Sequence, residues 1–137
     1  MLARAWSSGA SVPYPVERTE DGVVMEFIGD ADAAAPRLVQ AQLSAAQLSS
    51  AWEQLVESLR RLTAAGLVHA DLSAYNILWW RERLVIIDLP QAVEFTTNTD
   101  APELLHRDLT NVAEWFDRRG VAVDVETLFG ELIGLAW

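Results

Sequence analysis

The sequence contains no cysteine and no lysine. The first absence excludes disulfides, thiolate metal centres and a cysteine nucleophile. The second leaves arginine as the only fixed cation: all ten basic residues are Arg, against twenty acidic ones, for a formal net charge of -10. Such a chain lacks the clustered basic face that a phosphate backbone requires, so direct nucleic-acid binding is not expected. An anionic membrane surface is disfavoured for the same reason. No apolar run approaches the roughly twenty residues that span a bilayer, and Met1 to Pro13 lacks the continuous apolar stretch of a signal peptide. Five prolines and seven glycines are scattered rather than pooled, so there is no linker, and no internal repeat is visible. What is present is 137 residues, 51% hydrophobic, enough for one domain with one core and too apolar for disorder. The expectation is a soluble, cytoplasmic protein.

The periodicity places several elements. Met1 to Ser8 reads as the last turns of a helix, with Gly9 as its C-terminal stop. Ser11 to Pro15 is an extended connector. Val16 to Ile28 reads as a hairpin turning at Glu20-Asp21-Gly22. Leu43 to Ala65 is the strongest helix: Ser44 and Gln47 have the spacing of a capping box, and Leu48, Trp52, Leu55, Val56, Leu59 and Leu62 make one apolar stripe. Gly66 closes it, and Leu67-Val68-His69 follows as a short strand. A second hairpin joins Ile77–Trp80 to Leu84–Ile87 through Arg81-Glu82-Arg83. Pro102 to Arg119 is a further helix ended by Gly120, and Asp124 caps a last one through Leu128 and Leu132. The fold class is therefore α+β, mainly helical with short hairpins.

Three polar residues interrupt or end apolar segments: Asp71, Asn76 and Asp88. Each alone is an ordinary loop residue. Together they form a pattern, because a hairpin sets its two ends side by side and so brings Asn76 close to Asp88. The short loop back to Asp71 keeps the third group near. An Asn carbonyl and an Asp carboxylate are hard oxygen donors suited to Mg²⁺. A second Asp held off the metal can orient an attacking hydroxyl, which is what phosphoryl transfer requires. His69 reads as a packed residue that hydrogen-bonds this loop, since no second His is spaced for zinc. Of the Trp79-Trp80 pair, one ring is expected in the core and the other at the surface or facing an N-terminal lobe.

Residues Gly66 to Leu78, which include His69-Ala70-Asp71-Leu72-Ser73-Ala74-Tyr75-Asn76, and Leu84 to Val93, which include Ile87-Asp88-Leu89-Pro90-Gln91, resemble the catalytic and metal loops of the RIO family of atypical serine/threonine protein kinases. Val12 to Pro15 with Met25 to Gly29 is similar to the family's interlobe hinge. Arg107-Asp108, Asn111 and Trp115-Phe116 are similar to the helix after the metal loop. The resemblance implies a kinase-like C-terminal lobe over 30–137, with 1–29 as the end of an N-terminal lobe and the hinge, in a single partial kinase domain. It implies ATP and Mg²⁺ as cofactors and a protein Ser/Thr hydroxyl, or the chain's own, as acceptor. Asp71 would be the catalytic carboxylate, and Asn76 and Asp88 the metal ligands. In some members the residue matching Asp88 itself accepts the phosphoryl group. Met25 would back the adenine pocket, the backbone of Glu26 and Ile28 would face the base, Leu78 and Ile87 would floor the pocket, and Ser73 would lie near the γ-phosphate.

The family pattern also includes a glycine-rich loop and a strand lysine, and neither has a counterpart here. The expectations are that ATP meets no fixed cation except the metal, that this chain by itself is impaired, and that an apolar face around Met25, Phe27 and Leu78 invites self-association or a partner lobe. The absence of a capping signal at Met1 suits a chain entered within a helix, through a downstream start, gene decay or a split protein. The alternatives are a non-catalytic pseudokinase or binding module, and a small-molecule phosphotransferase of the aminoglycoside kinase type.

Overall fold

The structure is a computed structural model that describes residues 1–19, 22–25, 28–30 and 33–137, with residues 16–19 and 22–25 described as backbone. Helix α1 (Leu2–Ser7) ends at Gly9, whose φ of 86° supplies the left-handed stop that only glycine adopts cheaply. Strands β1 (Pro15–Thr19) and β2 (Gly22–Met25) pair antiparallel as the first hairpin. Glu20 and Asp21 of its turn lie outside the described residues.

Helix α2 (Ala45–Ala64) begins with the foreseen capping box. Ser44 Oγ accepts from the Gln47 N–H at 3.2 Å and Gln47 Oε1 accepts from the Ser44 N–H at 2.9 Å, so two N–H groups that a helix start leaves open are satisfied reciprocally. Its stripe of Leu48, Ala51, Leu55, Leu59 and Leu62 is buried. Trp52 lies half-buried beside it, its ring edge-on to Phe116 at 5.1 Å. Helices α3 (Ala101–Asp117) and α2 both pack on α4 (Val125–Leu135), where Asp124 accepts from the Thr127 N–H at 3.1 Å as the expected cap.

The second hairpin, β4 (Ile77–Trp80) and β5 (Arg83–Ile86), turns more tightly than the sequence suggests. Only Arg81 and Glu82 make the turn, with φ of 50° and 64°, the conformation whose twist matches paired strands. Both faces of this hairpin are covered. Ile77, Trp79, Leu84 and Ile86 point into the main core. Leu78, Trp80 and Val85 point the other way, into a small second cluster with Ile28, Ala35 and Ile87. Two-sided burial explains why Leu84 to Ile87 is apolar throughout instead of alternating. It also separates the two tryptophans as expected, with the Arg81 guanidinium stacked 4.8 Å from the Trp80 ring.

Two features were not foreseen. Strand β3 (Leu67–Val68) pairs with β6 (Val93–Glu94), a long-range contact between two-residue strands. A strap over 34–41 crosses the β4–β5 hairpin. The Ala35 N–H donates to the Ile28 carbonyl at 2.9 Å, the Trp79 N–H to Pro36 at 3.1 Å, and the Val39 N–H to Ala74 at 3.1 Å, while Arg37 bridges to Leu78. Leu38, with no solvent exposure, anchors the strap in the main core. Among the described residues, no helix is long and apolar enough to cross a membrane.

Candidate active site

The loop from His69 to Asn76 is held from three sides. Ala70 takes a left-handed conformation with φ of 75°, a strained choice for a residue with a Cβ. The strain is held by α3: one Asp108 oxygen accepts from the Ala70 N–H at 2.8 Å and the other from the Leu72 N–H at 3.0 Å. Arg107, the neighbour on the same helix, donates to the Ala70 carbonyl. The intervening residue, Asp71, is thereby presented to solvent. Asp108 itself has no exposure. Burial pushes its carboxyl above the usual carboxylate range, against the opposing pull of the Leu72 and Ala70 N–H groups and the nearby His69 and Arg107.

His69 is the second support, and it does the packing task expected of it. Nearly fully buried, it donates from Nε2 to the Ile87 carbonyl at 2.7 Å and accepts at Nδ1 from the Asp71 N–H at 3.2 Å. It thus ties the loop to the end of β5. Asn76 is the third. The Ile87 N–H donates to its carbonyl at 2.9 Å, which extends the β4–β5 ladder by one pair, and its amide Nδ2 donates to the Asp71 carbonyl.

The structure therefore links Asp71, Asn76 and the residue before Asp88 through two hydrogen bonds. Asp88 follows Ile87 in a left-handed conformation, φ 64° and ψ 55°, ahead of a 3-10 turn over Leu89–Gln91. Strained non-glycine residues collect where a side chain must be aimed; here Ala70 precedes Asp71, and Asp88 itself follows the residue paired with Asn76. The Asp88 carboxylate is exposed and makes no hydrogen bond or ion pair among the described residues.

Asp88 is one of the residues lining a cleft of about 690 Å³. Ile28, Leu78 and Ile87 line it, together with Pro13, Ala35 and Pro36. Of the residues assigned to nucleotide binding from the sequence, Ile28, Leu78 and Ile87 are thus gathered on one apolar wall. The Ile28 carbonyl accepts from the Ala35 N–H, and the Ile28 N–H makes no hydrogen bond among the described residues. Glu26 and Phe27 lie outside the described residues, as does the side chain of Met25. Ser73 is not in the lining. Its hydroxyl accepts from the Tyr75 N–H at 3.2 Å and its carbonyl from the Asn76 N–H at 3.0 Å, so it shapes the loop.

The expectation that a ligand meets no fixed cation is corrected. Arg37 lines the cleft, because the strap that carries it folds back across β4, a long-range pairing with no local signature. Asp108 had a signal. It stands three residues after Leu105 and four before Val112, so an acid occupies the apolar stripe of α3 and needs buried partners there.

Magnesium fits the donor set present. Asn76 commits its amide nitrogen to the protein and leaves Oδ1 for a ligand, and Asp88 offers a free carboxylate. Two hard oxygens suit an ion that keeps waters and takes phosphate oxygens. Among the described residues no three His, Asp or Glu side chains gather into a fuller metal cage.

Comparison with known proteins adds an independent finding. Residues 1–128 match the model of the RIO domain. The chain is 41% identical over 133 residues to the RIO-type serine/threonine-protein kinase Rio1 of Haloferax volcanii, an alignment covering 97% of this chain and 45% of that protein. It is 36% identical over 137 residues to human serine/threonine-protein kinase RIO3, covering 98% and 26%, and 34% identical over 116 residues to the Thermoplasma acidophilum Rio1, covering 85% and 59%. The chain thus spans less than half the length of the first two relatives.

Proposed function

The chain belongs to the RIO family, and from that membership we propose that its cleft takes Mg²⁺-ATP for phosphoryl transfer to a serine or threonine hydroxyl. In this reading Asp71 orients the hydroxyl, and Asn76 and Asp88 hold the metal. The observation that supports it is the hydrogen-bonded chain from the Asp71 carbonyl through Asn76 to the Ile87 N–H, next to Asp88 of the cleft lining.

Several observations support these roles. Asp71 is exposed and bound through its backbone alone, so its carboxylate is free to accept a hydroxyl proton. His69 and Asp108 position it without touching a ligand. Ile28, Leu78 and Ile87 offer a flat apolar surface for a base. Asp88, as a metal ligand in this reading, would face the terminal phosphate, and it is the group that would receive a phosphoryl if the protein works as an ATPase switch. Magnesium, when bound, neutralises phosphate charge.

The same surface predicts low potency for this chain by itself. A net charge of -10 repels polyphosphate, and the chain carries no lysine to grip it. That observation favours a second reading, a binding module of the same fold with little or no turnover. Calorimetric titration with ATP, with and without Mg²⁺, separates the readings. The expected result is weak, Mg²⁺-dependent binding that Asp88→Asn abolishes. Binding indifferent to Mg²⁺ would remove the assignment of Asn76 and Asp88, and no binding at millimolar nucleotide would favour the module.

A further inference from the structure

The cleft lining is mostly apolar and includes one acid, Asp88. A nucleotide placed there would bring its phosphates to an acid of a strongly negative molecule. Its lining holds one basic side chain among the described residues, Arg37.

Arg37 is fixed in place by its backbone and free at its tip. The strap that carries it runs antiparallel to β4, from Pro36 beside Trp79, through Arg37 opposite Leu78, to Val39 beside Ala74. It therefore leads from the Ile28 end of the cleft toward the loop that carries Asp71 and Asn76. Leu38 is buried in the main core, which fixes the rotation of the strap and leaves Arg37 on the cleft. Gln40 Oε1 accepts from the Arg37 N–H at 3.3 Å. The Arg37 guanidinium has no hydrogen bond or ion pair among the described residues. Leu78, opposite Arg37, lies two residues along β4 from Asn76, about 7 Å at the ~3.3 Å rise of a strand, within the span of an arginine side chain.

We propose that Arg37 is the anchor for the polyphosphate of the nucleotide in this cleft, its planar fork donating to phosphate oxygens. The assignment rests on the reading of the cleft as a nucleotide site. It gives the strap a task beyond covering the hairpin: it sets one unpaired cation on a cleft whose other charged lining residue is Asp88.

The test compares MgATP with adenosine by calorimetric titration of wild type, Arg37→Ala and Arg37→Lys. The assignment expects Arg37→Ala to weaken MgATP about tenfold while adenosine stays within about twofold, with Arg37→Lys between, because it keeps the charge and loses the fork. The MgATP loss should shrink as salt is raised, since the group is exposed. Equal losses for the two ligands would place Arg37 on the base or ribose and overturn the assignment, as would unchanged MgATP affinity. Wild type that takes up neither ligand at millimolar concentration would overturn the nucleotide reading itself, and the assignment with it. Thermal melting of Arg37→Ala should match wild type, because Leu38 and the backbone bonds hold the strap.

Discussion

Asp108 shows how one buried carboxylate can organise a loop. Its two oxygens satisfy the N–H groups of Ala70 and Leu72, and the chain between them has no freedom but to expose Asp71. Removing the acceptors leaves two buried N–H groups unpaired, at roughly 1–3 kcal/mol each. Asp108→Ala should therefore lower stability by about 3 kcal/mol in urea unfolding. Asp108→Asn keeps one acceptor and should cost less. The pair also predicts a pH dependence. Because burial raises the folded-state value, the native state holds this proton more tightly than the unfolded state does. The group's contribution to stability is then intact below its unfolded value and declines as pH rises through the folded one. Wild-type stability measured relative to Asp108→Asn should accordingly fall from acid toward neutral pH; a difference independent of pH, or one that rises, would contradict this.

Among the elements, the β4–β5 hairpin does most to build the site, and two glutamines of α2 hold it: Gln47 donates from Nε2 to Glu82 Oε1 at 2.7 Å, and Gln54 makes two bonds. Gln54 donates from Nε2 to the Glu82 carbonyl in the turn at 2.8 Å and accepts at Oε1 from the Leu84 N–H at 2.9 Å. A tight turn of two left-handed residues, neither of them glycine, benefits from such external support. Gln54→Ala should cost about 1–2 kcal/mol, read as a lower denaturation midpoint. It should leave α2 intact by circular dichroism, because the Ser44–Gln47 cap and the buried stripe of that helix are untouched. Loss of helix signal would mean that the hairpin and helix do not behave as separable parts. The ion pairs on the outer helix faces, Arg60 with Glu131 and Arg61 with Glu57, are exposed and contribute little by comparison.

At the scale of the whole molecule, charge sets the expected activity. The chain spans 45% of the Haloferax relative and 26% of human RIO3, and its net charge of -10 opposes an anionic substrate at every approach. Arg37 is the one basic side chain lining the cleft among the described residues, and a metal ion would be the other positive charge available to a nucleotide there. Hydrolysis of ATP in the presence of Mg²⁺ by this chain alone should stay close to background and should be little changed by Asp71→Ala. Robust turnover that Asp71→Ala abolishes would refute the expectation of impairment and would establish Asp71 as catalytic in the same assay.

The sequence by itself determined what depends on neighbours along the chain. The Ser44–Gln47 cap, the α2 stripe, the Asp124 cap and the loop motif from His69 to Asn76 are all written in spacings of a few residues, which is the range over which helix and turn geometry act. The family was readable for the same reason, since its motifs are contiguous. The proximity of Asn76 to the residue before Asp88 was also within reach, because a hairpin register is a short-range constraint. Only the tertiary structure decided what brings distant segments together: the β3–β6 pair, the grip of Asp108 on the Ala70–Leu72 backbone, and the strap that sets Arg37 on the cleft. Those contacts join residues tens of positions apart. Core packing selects them, and a local pattern carries no record of which buried partner an acid finds or which wall an arginine faces.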